Sequence, residues 1–552
     1  MSEGESKDDP GIAGVNLRWR VLRGRFAAPQ DEGAGAAAQL PASSRPLVER
    51  GDFRDSCGMI TLGVDCGTSA LKAALVDDGV VVASASRPYQ PDHPHPLWSE
   101  QDPEVWREAM FAALGDLKRE ASKMLGAVAA IGFSGQMHGA VTLGADDRPL
   151  RPAMLHNDGR AFTEARELGE GRSGLAAVTG VKPMAGFTAP KLMWLRSHEP
   201  ETYARIACVL LPKDYLRLAL TGEKLTDMSD AAGTWWLDEA QRRWCPKALA
   251  ATGVAAAILP PLVEGSDAVA PLKPDVADAL GLPRETVVAA GGGDAAVGAV
   301  GLGAISSGDA FISLGTAAQL IVASDRYRSA PEKLVHSFAH ALPGRWYRMA
   351  AMLNGAGALA FAARLFGREV AEIEREAAEN YRGPRETIFL PYLSGERTPH
   401  DDPRARGVFF GLSQTASRVD LTRAVMEGVA FTLAEARECL EAAGDSIGRV
   451  GLIGGGASSA LWTRMIAAAL NREVARYRGA ETWGAIGAAR LARLAATGEP
   501  PESICQAPPI IDVAEPDPAL VAAFAGVRER FASLYRALKP EFSKAAAAAE
   551  RG

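Results

Sequence analysis

Two short segments combine glycine with hydroxyl or carboxyl side chains in a way that suits phosphate binding. Asp65-Cys-Gly-Thr-Ser69 follows an apolar run, and Ser313-Leu-Gly-Thr316 repeats the Gly-Thr pair in the second half of the chain. Both offer hydroxyl and backbone N–H groups, and Asp65 adds a carboxylate for a magnesium-bound phosphate tail. One Asp-x-Gly-Thr segment is also ordinary turn chemistry, whereas two such loops facing one cleft can grip a nucleotide.

A third glycine-rich segment, Ile453-Gly-Gly-Gly-Ala-Ser458, joins a predicted strand to a helix that begins near Ala460. At such a junction a ligand can approach the backbone at the N-terminus of the helix. The segment lacks the Gly-Lys-Ser/Thr ending of a Walker A loop, and no G-x-G-x-x-G fingerprint follows the opening strand. It predicts either a ligand-binding turn or a tight structural turn.

Asp294 is the candidate for acid–base chemistry. Gly291-Gly-Gly-Asp294 follows the predicted strand 286–290 and opens a predicted helix, so this aspartate could simply cap that helix. The glycines leave its carboxylate exposed at a strand end, where α/β sheets usually present ligands. A weak base is adequate for phosphoryl transfer when the proton leaves late in a loose transition state. We therefore expect Asp294 to accept a proton from an attacking hydroxyl group.

Polar side chains also follow two neighbouring apolar runs. Ser134-Gly-Gln-Met-His138-Gly139 comes after one predicted strand, and Asn157-Asp-Gly-Arg160 comes after the next apolar segment. A lone histidine is more often structural, but His138 is accompanied by further hydrogen-bonding residues in the next loop, namely Asp158 and its neighbours. Several hydrogen-bonding groups at successive strand ends are what a pocket for a polyhydroxylated ligand requires.

The elements that must position these groups alternate between strands and helices. The runs 60–65, 70–76 and 80–85 predict three antiparallel strands, with a tight Asp-Asp-Gly turn between the last two. Helical and strand patterns then alternate, which indicates an α/β fold. The unit of strand, Gly-Thr loop and strand recurs at 309–323, which indicates an internal duplication. We place the boundary between the two halves near residue 305.

The length and composition limit the classes of protein to consider. A chain of 552 residues predicts two domains. The net charge of -7 argues against a dedicated nucleic-acid or anionic-membrane surface, and no apolar segment is long enough to span a membrane. The six cysteines are scattered without a zinc pattern, which favours a reducing cytoplasm.

The composition also predicts where the folded domains begin and end. Residues 1–58 are expected to be a disordered extension, with Met59 as an alternative start, because the first strand-like run begins there. The N-terminal domain is then predicted at 59–305 and the C-terminal domain at 306–540. Residues 541–552 form a low-complexity tail.

Taken together, these segments resemble the FGGY family of carbohydrate kinases from residue 59 to about residue 540. Two stretches look like the family signatures, namely Gly186-Phe-Thr-Ala-Pro-Lys191-Leu-Met-Trp194-Leu, and Gly407-Val-Phe-Phe-Gly411-Leu followed by Asp420-Leu-Thr-Arg-Ala-Val-Met-Glu427-Gly. The resemblance implies two actin-like (ribonuclease-H-like) α/β domains, with a nucleotide and a sugar in the cleft between them. It also implies ATP and Mg²⁺ as cofactors, a sugar as the second small-molecule partner and, from the family alone, a homodimer.

The resemblance also assigns roles to individual residues. Asp294 is implied to accept the proton of the sugar's terminal hydroxyl group, and Asp65 to support the metal and phosphate as a second catalytic residue. Met137 and His138 are implied to contact the sugar, and Asp158 is the third substrate-binding candidate. The nucleotide-binding candidates are Thr68, Gly315 and Thr316 for the phosphates, and Gly454, Gly455 and Gly456 near the adenosine.

The substrate expected from the resemblance is D-xylulose, phosphorylated at C5. Three segments look like those of family members that act on this sugar, namely Ser134-Gly-Gln-Met-His-Gly139, Asp227-Met-Ser-Asp-Ala-Ala-Gly-Thr234 and Leu390-Pro-Tyr-Leu-Ser-Gly-Glu-Arg-Thr-Pro399.

Three positions depart from the family pattern. Ala295 stands where many relatives carry a sugar-contacting Asn, His156 where Trp is usual, and Ala317 where Ser is common. Loss of one amide contact can relax discrimination by about 1–3 kcal/mol. A related pentulose or polyol therefore remains the alternative substrate. A non-catalytic actin-like nucleotide switch is the alternative of another class, and Asp294 and the sugar-side motif argue against it.

Overall fold

The computed structural model describes residues 58–171, 173–478 and 482–549. The predicted disordered extension 1–58 lies, apart from Gly58, outside the described residues. The predicted boundary near residue 305 falls in the connection between a helix that ends at Leu302 and a strand that begins at Ala310.

The elements of the first half are, in chain order, β1 (Ile60–Cys66), β2 (Ala70–Asp77), β3 (Val80–Pro88), β4 (Glu100–Gln101), α1 (Pro103–Glu120), α2 (Ser122–Leu125), β5 (Ala130–Gly135), β6 (Val141–Leu143), β7 (Ala153–Met154), α3 (Phe162–Gly169), α4 (Ser173–Val178), α5 (Thr188–His198), α6 (Pro200–Ala204), β8 (Cys208–Leu210), α7 (Pro212–Thr221), β9 (Thr226–Asp227), α8 (Met228–Ala232), β10 (Leu237–Asp238), β11 (Arg243–Trp244), α9 (Pro246–Thr252), β12 (Leu262–Val263), β13 (Ala268–Pro271), α10 (Pro274–Leu280), β14 (Val287–Ala289), β15 (Gly292–Gly293) and α11 (Asp294–Leu302).

The elements of the second half are β16 (Ala310–Leu314), β17 (Ala318–Ser324), β18 (Val335–Ala339), β19 (Trp346–Met352), α12 (Ala356–Phe366), α13 (Val370–Ala378), β20 (Ile388–Leu390), β21 (Val408–Phe410), α14 (Arg418–Ala442), β22 (Val450–Ile453), α15 (Ala460–Leu470), β23 (Val474–Tyr477), α16 (Trp483–Thr497), α17 (Pro501–Ile504), β24 (Ile510–Ala514) and α18 (Pro518–Ala549).

The two large sheets share one strand order. The first runs β3-β2-β1-β5-β14-β13, and the second runs β19-β17-β16-β22-β23-β24 with β18 added beyond β19. In each sheet three antiparallel strands are followed by two strands parallel to the third and by an antiparallel edge strand. The internal duplication predicted from the two Gly-Thr loops is therefore confirmed.

Helix α16 of the second half packs directly on the first sheet. A Cβ atom added at Gly63 on β1 would lie 1.8 Å from the carbonyl oxygen of Ala485, and one added at Gly132 on β5 would lie 1.9 Å from that of Ala488. Only glycine permits two backbones to approach so closely. The contact places the N-terminal end of α16 near the carboxyl end of β1.

Most predicted elements are present with shifted ends. The first helical segment is divided into α1 and α2, because Ala121 leaves the helical conformation with φ −136°. Helix α11 begins at Asp294. One prediction was that Asp294 caps this helix, but Gly293 occupies the N-cap position instead. Helix α18 continues into the tail predicted from its composition as low-complexity. Within the described ranges, no helix is both long and apolar enough to cross a membrane.

Candidate active site

The carboxyl ends of three adjacent strands bring the first-half candidates together. In the parallel pairing of β1 with β5, Asp65 lies opposite Ser134. In the pairing of β15 with β5, Gly293 lies opposite Gly135. Asp65, the loop after β5 and Asp294 therefore meet at one edge of the sheet, as expected for strand-end ligand sites.

The glycines before Asp294 are required by the packing around this turn. Gly291 has φ +84°, and a Cβ atom there would lie 2.4 Å from the Phe133 carbonyl oxygen. A Cβ atom at Gly293 would lie 2.7 Å from Cγ of Met137. Side chains at these positions would push the turn away from β5 and the loop after it. The glycines thus hold Asp294 against the loop that carries Met137.

The Asp294 side chain is exposed where it faces a cavity, and protein atoms are packed closely around the walls of that cavity. Its surroundings raise its pKa to about 7, chiefly because burial disfavours the charged form and secondly because Asp65 repels it. The backbone N–H of Ala295 donates to Oδ1 at 2.8 Å and partly opposes this increase. Among the described residues, no basic side chain pairs with Asp294. A carboxyl group with a pKa near neutrality is suited to exchange a proton.

The negative charge of Asp65 is favoured by more neighbouring groups than that of Asp294. Burial raises the pKa of Asp65, while the nearby Ser134 side chain and the charge of Lys72 act in the opposite direction. A Cβ atom added at Gly484, in the first turn of α16, would lie 2.5 Å from the Asp65 carboxyl group. The N-terminus of this helix therefore lies against Asp65, where its dipole favours negative charge.

The cavity at Asp294 has a volume of about 110 Å³ and is lined by residues of both halves. The first half contributes Met137, His138, His156, Met184, Gly186, Phe187, Asp294 and Ala295, and the second half contributes Gln319, His336, Met349, Ala351 and Arg397. The polar groups are mostly uncharged, because burial lowers the pKa of His156 to about 4 and that of His336 to about 3. The cavity therefore suits a neutral polar ligand.

His138 is held in one tautomer. Its Nδ1 atom lies 2.7 Å from the carbonyl oxygen of Gly233, which can only accept a hydrogen bond. Burial lowers the pKa of His138 well below its usual value, so Nε2 of the neutral ring is left as an acceptor. The Lys191 ammonium group donates to the His138 carbonyl oxygen at 2.8 Å and anchors this loop.

Asp158 has different surroundings from those predicted for a substrate-binding residue. Its carboxylate forms hydrogen bonds of 2.6–3.1 Å with Arg160, and it accepts from the Ser99 backbone N–H at 2.7 Å. The Arg160 guanidinium is in turn stacked 3.6 Å above the Trp98 ring. Asp158 is buried and is absent from the lining of the cavity at Asp294. These contacts hold the loop, and a role of Asp158 in binding a sugar stays a prediction.

The candidate nucleotide-binding segments of the second half also share one sheet edge. Strands β16 and β22 are parallel, with Ser313 opposite Ile453, so the Gly315-Thr316 turn lies beside Gly454–Gly456. Gly454 has φ +88°, and a Cβ atom there would lie 2.7 Å from the Leu314 carbonyl oxygen. This glycine is therefore needed for the turn itself. A Cβ atom at Gly455 would meet no atom within 4 Å, which leaves its backbone open to a ligand.

Thr68, the remaining candidate in the first Gly-Thr loop, donates a 3.2 Å hydrogen bond to Oε1 of Gln136. This contact ties the loop after β1 to the loop after β5. The amide nitrogen Nε2 of Gln136 is buried and has no partner among the described residues.

A buried ionic cluster supports the turn before Asp294. The Nζ atom of Lys213 lies 2.5 Å from Asp214, 2.8 Å from Asp227 and 3.0 Å from Asp230. Burial opposes the charge of Lys213, but the three carboxylates together raise its pKa. The three aspartates could hold a metal ion, yet the ammonium group already occupies the position between them.

Two residues connect this cluster to the turn. The Ser229 hydroxyl donates to Asp227 and accepts from the Gly293 N–H at 3.0 Å. Arg217 pairs with Asp214 at 3.0 Å and donates to the Ala290 carbonyl oxygen at 2.6 Å. The cluster therefore fixes both ends of the glycine turn.

Sequence reasoning did not identify the cavity residues of the second half. Gln319, His336 and Met349 lie on β17, β18 and β19, respectively, whose pairing could not be read from local patterns. Arg397 lies in the segment Leu390–Pro399, which resembles family members that act on D-xylulose. That resemblance could have identified Arg397 as a candidate. Lys213 had no comparable signal, because its three partners are contributed by separate elements.

The comparisons with known proteins agree with this architecture. The model of the N-terminal domain of the FGGY family of carbohydrate kinases matches residues 60–301, and that of the C-terminal domain matches residues 310–496. A xylulose kinase of Escherichia coli K12 is 45% identical over 484 residues, covering 87% of this chain and 99% of the relative. The chain belongs to the FGGY family of carbohydrate kinases. As a member of the FGGY family, it is an ATP-dependent sugar kinase.

Solved structures of FGGY kinases match the fold. A structure described as a xyloylose kinase from Brucella ovis has a TM-score of 0.85 and 44% identity, and covers 87% of this chain and 99% of its own. A ligand-bound xylulose kinase from Lactobacillus acidophilus has a TM-score of 0.83 and 26% identity, and covers 88% and 99%. The predicted two-domain actin-like α/β fold is thereby confirmed.

Proposed function

We propose that this FGGY kinase transfers the γ-phosphoryl group of ATP to the C5 hydroxyl group of D-xylulose, giving D-xylulose 5-phosphate and ADP. The relatives that are 45% and 38% identical are xylulose kinases by name. The observation that carries the proposal is the cavity in which the Asp294 carboxyl group faces side chains that are mostly held uncharged. Such a lining suits a neutral polyhydroxylated substrate.

Asp294 is the proposed proton acceptor. As the C5 oxygen forms its bond to the γ-phosphorus, the bond from that phosphorus to the β–γ bridging oxygen breaks and ADP leaves. The hydroxyl proton passes to an Asp294 carboxylate oxygen. A pKa of about 7 makes this carboxylate basic enough to take the proton near neutral pH. His138, with Nε2 as an acceptor, orients a second hydroxyl group, and Met137 provides apolar contact.

Asp65 and the two Gly-Thr loops fit a magnesium-bound triphosphate. Carboxylate oxygens are the ligands that Mg²⁺ prefers, and the Asp65 carboxylate is close enough to Asp294 for its charge to raise the pKa of Asp294. A bound Mg²⁺ would neutralise negative charge on the phosphates. Thr68 and the Gly315-Thr316 turn would hold phosphates, and Gly454–Gly456 would lie near the adenosine.

We also place the enzyme in the cytoplasm. The cysteines within the described ranges are free thiols, which suits a reducing compartment. The homodimer implied by the family remains a prediction.

A related pentulose or polyol is the second candidate substrate. Ala295 lines the cavity with a methyl group where many relatives carry an amide, and His156 brings a neutral imidazole ring to the same wall. Both changes alter the hydrogen bonds offered to the sugar, so they favour a shifted preference among similar sugars.

The test is ADP release by the purified chain with MgATP and a panel of D-xylulose, D-ribulose, L-ribulose, L-xylulose, xylitol, glycerol and no sugar. The proposal expects strong and selective stimulation by D-xylulose. Stimulation by another sugar would replace the substrate and keep the chemistry. If no sugar in the panel stimulates ADP release and the chain still binds nucleotide, the non-catalytic nucleotide switch would be favoured.

A further inference from the structure

Arg397 is a partly buried cation whose guanidinium group has no hydrogen-bond or ion-pair partner among the described residues. Burial lowers the pKa of its guanidinium group, and the charges of Glu396 and Asp401 only partly oppose this. No side chain or carbonyl group among the described residues accepts a hydrogen bond from its guanidinium nitrogens. Desolvating a guanidinium without a partner is costly, so such a group usually faces a ligand.

The two acidic neighbours of Arg397 are engaged elsewhere. Glu396 accepts hydrogen bonds from the backbone N–H of Leu353 at 2.6 Å and from the amide of Asn354 at 3.1 Å. Asp401 lies 3.4 Å from the ammonium group of Lys182 at the surface. The guanidinium group therefore remains available.

The loop that carries Arg397 is fixed against the second sheet. The Thr398 backbone N–H donates to the Ala351 carbonyl oxygen at 3.1 Å, and its hydroxyl group donates to the Leu334 carbonyl oxygen at 2.8 Å. Arg397 thus lines the cavity from the second half, beside His336, whose two ring nitrogens also lack partners. Its charge contributes to the lowered pKa values of both His336 and His156, which places it near both rings.

The cavity has acceptors on one side and a strict donor on the other. The first half presents two acceptors, namely the Asp294 carboxylate and Nε2 of His138. The second half presents Arg397, which can only donate, beside Gln319 and His336, which can each donate and accept. A ligand that pairs with Asp294, His138 and Arg397 together must offer hydroxyl protons to the first two and an acceptor to Arg397.

An open-chain ketose meets this requirement. Phosphorylation at C5 needs a free C5 hydroxyl group, and a pentulose that closes into a five-membered ring through C5 has none. The reacting form is therefore open, with a C2 carbonyl oxygen that only accepts hydrogen bonds. We propose that Arg397 donates to this carbonyl oxygen and thereby selects a ketose over the alditol formed by its reduction. This inference rests on the proposed function.

The experiment compares D-xylulose with xylitol, in which the carbonyl group is replaced by a hydroxyl group. In Arg397→Gln, kcat/KM for D-xylulose is expected to fall by about 10- to 100-fold, as for a lost hydrogen bond to a charged donor. The inhibition constant of xylitol against D-xylulose should change less than about threefold, because a hydroxyl group can pair with either amide atom of glutamine, whereas the carbonyl group is left with only the weaker, uncharged amide donor. The KM for MgATP should stay the same.

Two further variants separate this role from a structural one. Arg397→Lys, which keeps a cationic donor but loses the planar fork, should recover part of the D-xylulose activity. Arg404→Gln changes an exposed arginine of the same loop and should match the wild type. Equal losses for D-xylulose and xylitol, or no loss with D-xylulose, would overturn the inference. A wild-type enzyme without D-xylulose activity would instead overturn the proposed function.

Discussion

Two groups of carboxylates meet at the glycine turn before Asp294, and their charges are compensated in different ways. Behind the turn, Asp214, Asp227 and Asp230 surround the ammonium group of Lys213. In the cleft, Asp294 faces the charge of Asp65 without a basic partner of its own among the described residues. The first group has internal cations that lower the pKa of Asp214, although burial and its two acidic neighbours raise that of Asp230 well above its usual value. The second group has no such cation beside Asp294.

The two groups of carboxylates have different roles, since one supports the structure and the other takes part in the reaction. A buried carboxylate with an internal cation is stable only as part of its cluster, and removing the cation leaves unpaired charge. A carboxylate whose pKa is raised and left without a cation is poised to bind a proton or a metal-bound ligand. The same residue type therefore serves as scaffold on one side of the turn and as reacting group on the other.

The largest expected effect comes from removing the reacting carboxylate. Asp294→Ala should lower kcat by at least about a thousandfold, because a positioned base and an orienting contact are both lost. Nucleotide binding should be kept, since the Gly-Thr loops are unchanged. ADP release with D-xylulose and titration with a fluorescent nucleotide measure the two properties. Turnover close to that of the wild type would contradict the role of Asp294.

Removing the internal cation should damage stability instead. Lys213→Met is expected to lower the free energy of unfolding by about 3–5 kcal/mol, because three buried carboxylates lose their shared partner. Lys224→Met is the matched control, since it breaks an exposed pair with Asp147 and should cost at most about 1 kcal/mol. Urea unfolding at pH 7 measures both variants, and equal losses would remove the distinction between the two carboxylate groups.

Neutralising the unpaired carboxylate of Asp294 should raise the stability of the folded protein, whereas removing Lys213 lowers it. The pKa of Asp294 is about 7 in the folded protein and near the ordinary aspartate value when unfolded, so folding becomes less favourable as pH rises between those two values. Asp294→Asn removes this penalty. Its gain in melting temperature over the wild type should be larger at pH 8 than at pH 5, measured in EDTA without nucleotide. A gain that does not depend on pH would contradict the raised pKa.

The smallest effect concerns the connection between the two groups. Ser229→Ala removes the hydroxyl group that joins Asp227 to the Gly293 N–H, and should lower kcat by about tenfold through a less well-fixed Asp294. The KM for MgATP should not change. Ser229→Thr, which restores the hydroxyl group, serves as the rescue variant, and steady-state kinetics are the measurement. An unchanged kcat in Ser229→Ala would show that the turn is held adequately without this bond.

The sequence predicted the strand-end chemistry better than the long-range packing. Asp65, Asp294 and His138 follow predicted strands, and that local pattern was enough to foresee their positions at strand ends. Asp158 has the same kind of local setting, but Arg160, two residues later, occupies its carboxylate. Arg397 and Lys213 act through partners far away in the chain, and local periodicity carries no information about such pairings.

The packing of α16 on the first sheet has a consequence for how the chain folds during synthesis. Gly63 and Gly132 expose bare backbone where α16 will lie, and this helix is synthesised after the whole of the first half. Domains usually fold in the order of their synthesis. Here a segment of the second half covers the first sheet, so a nascent chain that ends near residue 305 leaves this face of the sheet uncovered.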